Sequence, residues 1–303
     1  MNSIISFKEL GLAENILKAI KDKGYLQPTE IQQKAIPEIL KGNDIIALSQ
    51  TGTGKTASFT LPVLNRISSE FKTRKGSTRV LILVPTRELA IQVGDSVKNY
   101  GKYLKIKTVT VLGGVNINPQ MQDLAGGTDI LIATPGRLLD LYDKNAVNLK
   151  SVEFLVLDEA DKLLDLGFKD ELYRIIDLLP QKRETSLFSA TLNEEIRELT
   201  KKFLNNPIDI RVKEEETTAN TITEIIHPVD KGLKNLLLLK LFNDYKWERV
   251  LVFVNSQNRA KRLLRFLQSK NYSSDTIHGG LTQFARTETL NKFKNGKTIF
   301  LVA

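Results

Sequence analysis

Short apolar runs alternate with amphipathic stretches along nearly the whole chain, and this alternation limits the fold more than any other feature. Strands are predicted over residues 44–48, 80–84, 108–112, 130–133, 154–157 and 186–189, with helical periodicity between them, as in residues 88–100 and 168–179. Continuous apolar runs such as Phe154-Leu155-Val156-Leu157 are the pattern of strands buried on both faces. Strands separated by helices build βαβ units and a parallel sheet with helices on both sides. Over residues 212–223 the pattern lapses into Lys-Glu-Glu-Glu-Thr-Thr-Ala-Asn, polar and poor in β formers, so residues 212–222 read as a linker. A second series follows: strand 250–254, helix 259–269, strand 274–277, helix 285–294 and strand 298–302. The expected domains are therefore 1–211 and 223–303. Three strands are few for a sheet of this type, so the second domain is expected to be incomplete and the chain a fragment or truncated product.

Charge separates these two parts. Residues 231–303 carry 14 Lys and Arg against 4 Asp and Glu, although the net charge of the whole 303-residue chain is only +9. A basic block favours polyanions, or else forms a solvated helix face: Arg259, Lys261, Arg262 and Arg265 share one predicted helix. No apolar run approaches the ~20 residues of a membrane span, and no secretory signal is evident. The chain has no cysteine, which excludes disulfides and thiolate metal sites and fits a reducing cytoplasm.

Two segments carry chemistry. Ser49-Gln50-Thr51-Gly52-Thr53-Gly54-Lys55-Thr56 lies between a predicted strand and a helix, the context that makes a phosphate loop. Glycines let backbone N–H groups converge on phosphate oxygens, and the helix N-terminus adds partial positive charge. Lys55 reaches toward the β- and γ-phosphates, and the Thr56 hydroxyl suits Mg²⁺. Ser49 stands where the general pattern has glycine. About a hundred residues on, Asp158-Glu159-Ala160-Asp161 emerges from the run 154–157. Acidic residues after a strand ordinarily start a solvated helix. Paired with the phosphate loop, Asp158 becomes a Mg²⁺ ligand acting through water, and Glu159 the group that orients or deprotonates an attacking water. The implied chemistry is magnesium-assisted phosphoanhydride hydrolysis, with Lys55, Asp158 and Glu159 as its catalytic set.

Further segments occur in one family's order and spacing. Gly24-Tyr25-Leu26-Gln27-Pro28-Thr29-Glu30-Ile31-Gln32 follows an isolated Phe7. Then come Pro85-Thr86-Arg87-Glu88-Leu89-Ala90, Gly113-Gly114, Thr134-Pro135-Gly136-Arg137 and Ser189-Ala190-Thr191. His278-Gly279-Gly280 and Gln283-Phe284-Ala285-Arg286 continue the match into the second part. The chain resembles the DEAD-box ATP-dependent RNA helicases, most of all their bacterial RhlE-like branch, from Phe7 to Ala303. The resemblance implies tandem RecA-like, phosphate-loop NTPase domains of α/β class with parallel sheets, the second incomplete. It implies that Phe7, Tyr25 and Gln32 read adenine, that residues 49–56 hold ATP, and that Asp161 hydrogen-bonds the Ser189 and Thr191 hydroxyls to couple nucleotide state to RNA grip. Pro85, Thr86, Arg87, Gly113, Gly114, Thr134, Pro135, Gly136, Arg137, Gly279, Gly280 and Arg286 are implied RNA contacts. The implied molecule is a cytoplasmic monomer that uses ATP and Mg²⁺ to unwind short RNA duplexes or remodel RNA–protein complexes; partner proteins are left unnamed. The family's threonine–aspartate segment and its histidine- and arginine-rich segment are not found in residues 1–303. One alternative is therefore an ATP- and RNA-binding module without efficient hydrolysis, and a lesser one a DNA helicase or other RecA-like NTPase.

Overall fold

The computed structural model describes residues 6–50, 52–69, 77–212 and 222–303. The chain divides into two compact units, Met1–Thr217 and Thr218–Ala303. Of the expected linker, residues 213–221 lie outside the described residues, as does Thr51 of the phosphate loop.

The first unit is built on strands β1 (Ile45–Leu48), β2 (Thr78–Leu83), β3 (Thr108–Val111), β4 (Thr128–Ala133), β5 (Phe154–Leu157), β6 (Glu184–Ser189) and β7 (Ile208–Arg211). They form one sheet in the order β3-β4-β2-β5-β6-β1-β7, with every pair parallel. Helices α1 (Glu14–Asp22), α2 (Glu30–Leu40), α3 (Lys55–Ser69) and α4 (Arg87–Tyr100) come first in the chain. Helices α5 (Ile117–Leu124), α6 (Pro135–Asp143), α7 (Ala160–Asp165), α8 (Lys169–Asp177) and α9 (Glu194–Phe203) follow. Side chains alternate across a strand, so each strand feeds two cores. Ala47, Val80, Ile82, Ile130, Val156 and Phe188 pack with Ile16, Ile36, Phe59 and Val93 from the first helix group. Ile46, Leu81, Leu83, Leu131, Leu157 and Leu187 pack with Leu138, Leu163, Leu172 and Ile196 from the second. Both faces are covered, as the continuous apolar runs require.

Two departures from the sequence reading have clear causes. Strand β7 escapes prediction because it is an edge strand: of Ile208-Asp209-Ile210-Arg211 only Ile210 is buried, and the two charged residues pair with each other. Asp44, predicted as the first residue of a strand, sits just before β1 and works through its side chain. Its carboxylate accepts from the Thr185 N–H at 2.7 Å and from the Asn205 N–H at 2.7 Å, joining the start of β1 to the segments leading into β6 and β7.

The second unit has α10 (Lys234–Asp244), β8 (Val250–Val252), α11 (Gln257–Ser269), β9 (Ser274–Thr276), α12 (Gln283–Lys294) and β10 (Phe300–Val302). Its three described strands are parallel in the order β8-β10-β9. Phe300 and Val302 pack with Ala260, Leu263 and Leu267 of α11, and Phe242 of α10 closes on Phe300. Ser256 and Thr282 cap α11 and α12 by accepting from the Arg259 and Ala285 N–H groups. Among the described residues no helix is long and apolar enough to cross a membrane.

A candidate nucleotide and nucleic-acid site along one sheet edge

Parallel strands align their carboxyl ends on one edge of a sheet, where ligands of such folds gather. In the first unit that edge falls into two halves. At the ends of neighbouring β5, β6 and β1 stand Asp158, Ser189 and the loop beginning at Ser49. At the ends of neighbouring β3, β4 and β2 stand Gly113-Gly114, Thr134-Pro135 and Pro85-Thr86-Arg87.

In the first half, the Ser49 N–H donates to Ser189 O at 3.1 Å, carrying the β1–β6 ladder one step beyond the strands. Gly52 and Gly54 have φ of +90° and +94°, so both turns of the loop use left-handed backbone. The loop is braced from inside: the Ser49 and Thr53 hydroxyls lie 3.0 Å apart, and Thr53 Oγ1 donates to Gln50 O at 2.9 Å. Lys55 is buried and its ammonium donates to Ser49 O at 2.9 Å, so the loop curls around its own cation. Thr56, in the first turn of α3, is half-buried.

The residues expected to read adenine are placed unevenly. Gln32 is buried, and its amide bridges two segments: Oε1 accepts from the Thr29 N–H at 3.0 Å, and Nε2 donates to Gly54 O at 3.2 Å. A Cβ on Gly54 would meet Gln32 Nε2 at 2.5 Å and Thr29 Oγ1 at 3.2 Å, so glycine there admits α2 against the loop. Tyr25 is half exposed, and its ring lies 6.4 Å from that of Tyr100. Burial first, then hydrogen bonding to Tyr25, pushes the Tyr100 phenol well above its usual value. Phe7 belongs to the core, packed within the cluster that holds Ile36 and Ile39. Its described place is a packing one against α2.

Asp158 is 2% exposed. Burial pushes its carboxyl up to about 6; Lys55 opposes that rise and Glu159 adds to it. Glu159 carries φ +50° and ψ +53°, a left-handed conformation that costs a non-glycine residue roughly 1–2 kcal/mol. This strained bend turns the chain from β5 into α7. The Glu159 carboxylate is held by Lys162 Nζ at 2.9 Å. Among the described residues no three His, Asp or Glu side chains converge as a metal cage. The expected Mg²⁺ donors are Thr56 and Asp158, and Mg²⁺ keeps several waters and takes one or two protein oxygens plus phosphate. A buried acid whose charge is disfavoured, close enough to the Lys55 ammonium to feel its charge, fits a cation-bound phosphate.

Asp161 anchors the end of β6. Its Oδ2 accepts from the Ala190 N–H at 3.0 Å, the Thr191 N–H at 3.0 Å and Thr191 Oγ1 at 3.2 Å, while Oδ1 accepts from the Lys162 N–H at 3.0 Å. Burial raises its pKa, but these backbone donors outweigh burial and hold it below the usual carboxylate range. The expected link to the Thr191 hydroxyl is present. Ser189 Oγ lies close enough to help depress the Asp161 pKa, yet it is fully buried and meets no partner at hydrogen-bond geometry. Most of the grip is therefore on backbone N–H groups.

The second half of the edge brings two arginines to one glycine turn. Thr86 caps α4 by accepting from the Leu89 N–H at 3.2 Å, which sets Arg87 at the helix start. Gly114 has φ +75°, and a Cβ there would overlap the Arg87 guanidinium, so the turn after β3 is shaped around that side chain. Arg137, on the first turn of α6 after Thr134-Pro135, is buried and donates from Nη2 to Val115 O at 2.9 Å. Asp140 is its ion-pair partner at 3.6 Å, while Arg137 Nε and Nη1 are buried without hydrogen-bond partners. Gly136 has open space where a Cβ would stand. A Gly114→Ala change should destabilise this turn by 1–2 kcal/mol or more through backbone strain and should displace Arg87. Thermal denaturation checks the first effect and nucleic-acid affinity the second.

In the second unit, Gly280 follows the turn after β9, its N–H donating to His278 Nδ1 at 3.2 Å. Arg286 lies on the first turn of α12, its N–H bonded to Thr282 O at 3.0 Å. His278 supports the turn by accepting this hydrogen bond. Sequence reasoning missed Thr29, Lys162, Val115 and Asp140 as partners of site residues. Thr29 was recoverable because Thr-x-x-Gln is a capping-box pattern, and Lys162 and Asp140 because each is an opposite charge three residues along from Glu159 and Arg137; Val115 gave no signal.

An all-parallel α/β unit with a phosphate loop, a buried acid at a neighbouring strand end and a basic half-edge defines a nucleotide-binding unit of the helicase type. Residues 29–199 match the DEAD/DEAH box helicase family and residues 231–303 match the helicase conserved C-terminal domain. The chain belongs to the DEAD/DEAH box helicase family. It is 38% identical over 298 residues to the DEAD-box ATP-dependent RNA helicase RhpA of Helicobacter pylori, covering 98% of this chain and 60% of that protein. Identity is also 38% to the helicase CshA of Bacillus cereus, of which it covers 56%, and to the RNA helicase CrhR of Synechocystis, of which it covers 60%. Each match takes in 98% of this chain. Relatives of three designations at equal identity place the chain in the family without selecting a branch. A DEAD box protein from Methanococcus jannaschii shares the fold with a TM-score of 0.65 and 34% identity, covering 98% of this chain and 79% of that one. The chain spans about 60% of the length of the curated relatives it matches.

Proposed function

We propose that this chain forms the ATP- and RNA-binding core of an RNA-dependent ATPase that locally separates short RNA duplexes or remodels RNA–protein complexes. The observation that carries this reading is the division of one sheet edge into a phosphate-and-acid half and an arginine half. In the first, Ser49, Gln50, Gly52, Thr53, Gly54, Lys55 and Thr56 surround the nucleotide phosphates, with Tyr25 and Gln32 toward the base. Thr56, and Asp158 through water, would hold Mg²⁺, which supplies charge neutralisation between the β- and γ-phosphates when bound. Glu159 takes the proton of the attacking water, and its left-handed backbone fixes the direction from which it does so. Lys55 leaves Ser49 O and turns to the phosphates as they enter.

In the second half, Arg87 and Arg137 flank the Gly113-Gly114 turn and suit a sugar-phosphate track. Arg137 Nη1 is buried without a hydrogen-bond partner, and a phosphate oxygen would be an acceptor for it. Asp161 ties the first half together: it starts from the acidic strand end and holds the backbone of Ala190 and Thr191 just past β6. Gly279, Gly280 and Arg286 add backbone contacts from the second unit. The setting is the cytoplasm and the working form a monomer.

The decisive experiment measures ATP turnover with and without single-stranded RNA, beside a matched DNA strand. Turnover should rise with RNA and stay low with DNA; turnover indifferent to RNA would sink the assignment. Replacing Arg137 by alanine should weaken RNA binding about equally across sequences and reduce the slope of log affinity against log salt by about 1. An unchanged slope would remove Arg137 from the track.

A further inference from the structure

We propose that Tyr245 and Trp247 form a stacking platform for an unpaired RNA base, apart from the Gly279-Gly280 turn of the second unit. The proposal rests on the RNA reading above and extends it to a site of different chemistry. The two rings lie parallel, with centroids 5.5 Å apart and planes inclined by 10°. Both are open to solvent, Tyr245 at 53% and Trp247 at 39% exposure. Burying such large rings is strongly favourable, so a stacked pair left at the surface keeps π faces for a further planar group. A base is such a group, and every base has a π face, so recognition there is tolerant of sequence.

The platform is built on a fixed base. Tyr245 ends α10, its N–H bonded to Leu241 O at 3.0 Å, and the Trp247 N–H bonds Phe242 O at 3.2 Å. Phe242 in turn packs on Phe300 and Tyr272 in the core. Lys246, with φ +52°, makes the left-handed turn that lets the flanking rings stack. Arg249 Nη1 donates to Lys294 O at 3.1 Å, bringing the basic last turn of α12 beside the segment. Within the stretch itself Asp244 and Glu248 offset Lys246 and Arg249, so the basic excess comes from Lys292 and Lys294 in that last turn of α12 and from the rest of residues 231–303, which carry 14 basic against 4 acidic side chains. Charge thus favours a polyanion, and the rings supply what phosphate contacts lack. The segment precedes β8, so it lies at the amino ends of these parallel strands, opposite the Gly279-Gly280 turn that follows β9. An RNA held at the Gly279-Gly280 turn would have to extend to the opposite end of this sheet to reach the rings.

Trp247 is the chain's only tryptophan, so its emission reports this site alone. The full chain is titrated with oligouridines of about 6 and about 20 nucleotides, following both tryptophan emission and the anisotropy of labelled RNA. The long strand should quench Trp247. Trp247→Ala and Tyr245→Ala should each lower affinity for the long strand by about five-fold or more while leaving the short strand unaffected, and Trp247→Phe should restore most of it. Binding of the long strand with unchanged emission, and equal affinity in the variants, would overturn the platform and leave the helicase reading standing. Emission that answers polyglutamate but not RNA would also overturn it, assigning the rings to an acidic protein. If neither oligouridine binds the wild-type chain, this proposal and the functional reading fall together.

Discussion

Lys55→Ala should lower ATP turnover by roughly 10²–10³-fold or more, the range for losing one preorganised electrostatic contact to a reacting oxygen. The reason lies in where the ammonium is kept. Lys55 is buried within the loop it serves and bonded to Ser49 O at 2.9 Å. It is also the principal charge opposing the rise of the Asp158 pKa. Its loss therefore removes a phosphate contact and further disfavours the charged form of the carboxylate that would hold Mg²⁺. Glu159→Gln should give a similar loss of turnover by another route, since glutamine cannot accept the proton. The two variants separate by binding. Lys55→Ala should weaken nucleotide affinity, whereas Glu159→Gln should retain it, because the Glu159 side chain is tied to Lys162 rather than to the loop. A fluorescent nucleotide titration beside steady-state turnover checks both, and near-wild-type turnover in either variant would remove that residue from the catalytic set.

The phosphate loop was legible because its chemistry is carried by local backbone geometry, and local geometry is written in glycine spacing. The acidic strand end was legible as a place, but not in its details. Nothing in Asp-Glu-Ala-Asp says that Glu159 takes a left-handed backbone. Nor does it say that Asp161 grips the N–H groups of residues 190 and 191 more than their hydroxyls. These depend on β5 and β6 being neighbours, a fact of topology. The meeting of Arg87 with Gly113-Gly114 is similar: it needs β4 to lie between β2 and β3, so that segments 26 residues apart share one corner. Gln32 shows a different limit. Reading it for its ligand chemistry alone missed that both ends of its amide already serve the chain, one at the cap of α2 and one at Gly54 O. Strand β7 was illegible because an edge strand with one buried side chain lacks the apolar run that reveals its neighbours.

Phe59→Ala should destabilise the first unit by about 3–5 kcal/mol, the usual cost of removing a buried aromatic ring and leaving a cavity. Phe59 is fully buried on α3, one turn beyond Lys55, and its ring meets that of Phe188 at 5.2 Å. Phe188 lies opposite Ala47 in the β1–β6 register and immediately precedes Ser189. The pair therefore supports both strands from which the phosphate loop and the Ser189-Ala190-Thr191 segment depart. A close-packed interior does not flow into the gap that losing one of these rings would leave. For a unit of about 200 residues the loss corresponds to a fall of roughly 6–20 °C in the midpoint of thermal unfolding. Far-UV circular dichroism should show that fall, while the emission of Trp247, which belongs to the second unit, should keep its wild-type midpoint. An unmoved circular-dichroism transition would mean that the loop is supported from elsewhere. If the fall is seen, nucleotide affinity measured well below the new midpoint isolates the second consequence. With its floor removed, the loop should bind more weakly even in molecules that remain folded, because Lys55 and Thr56 share their helix with the missing ring.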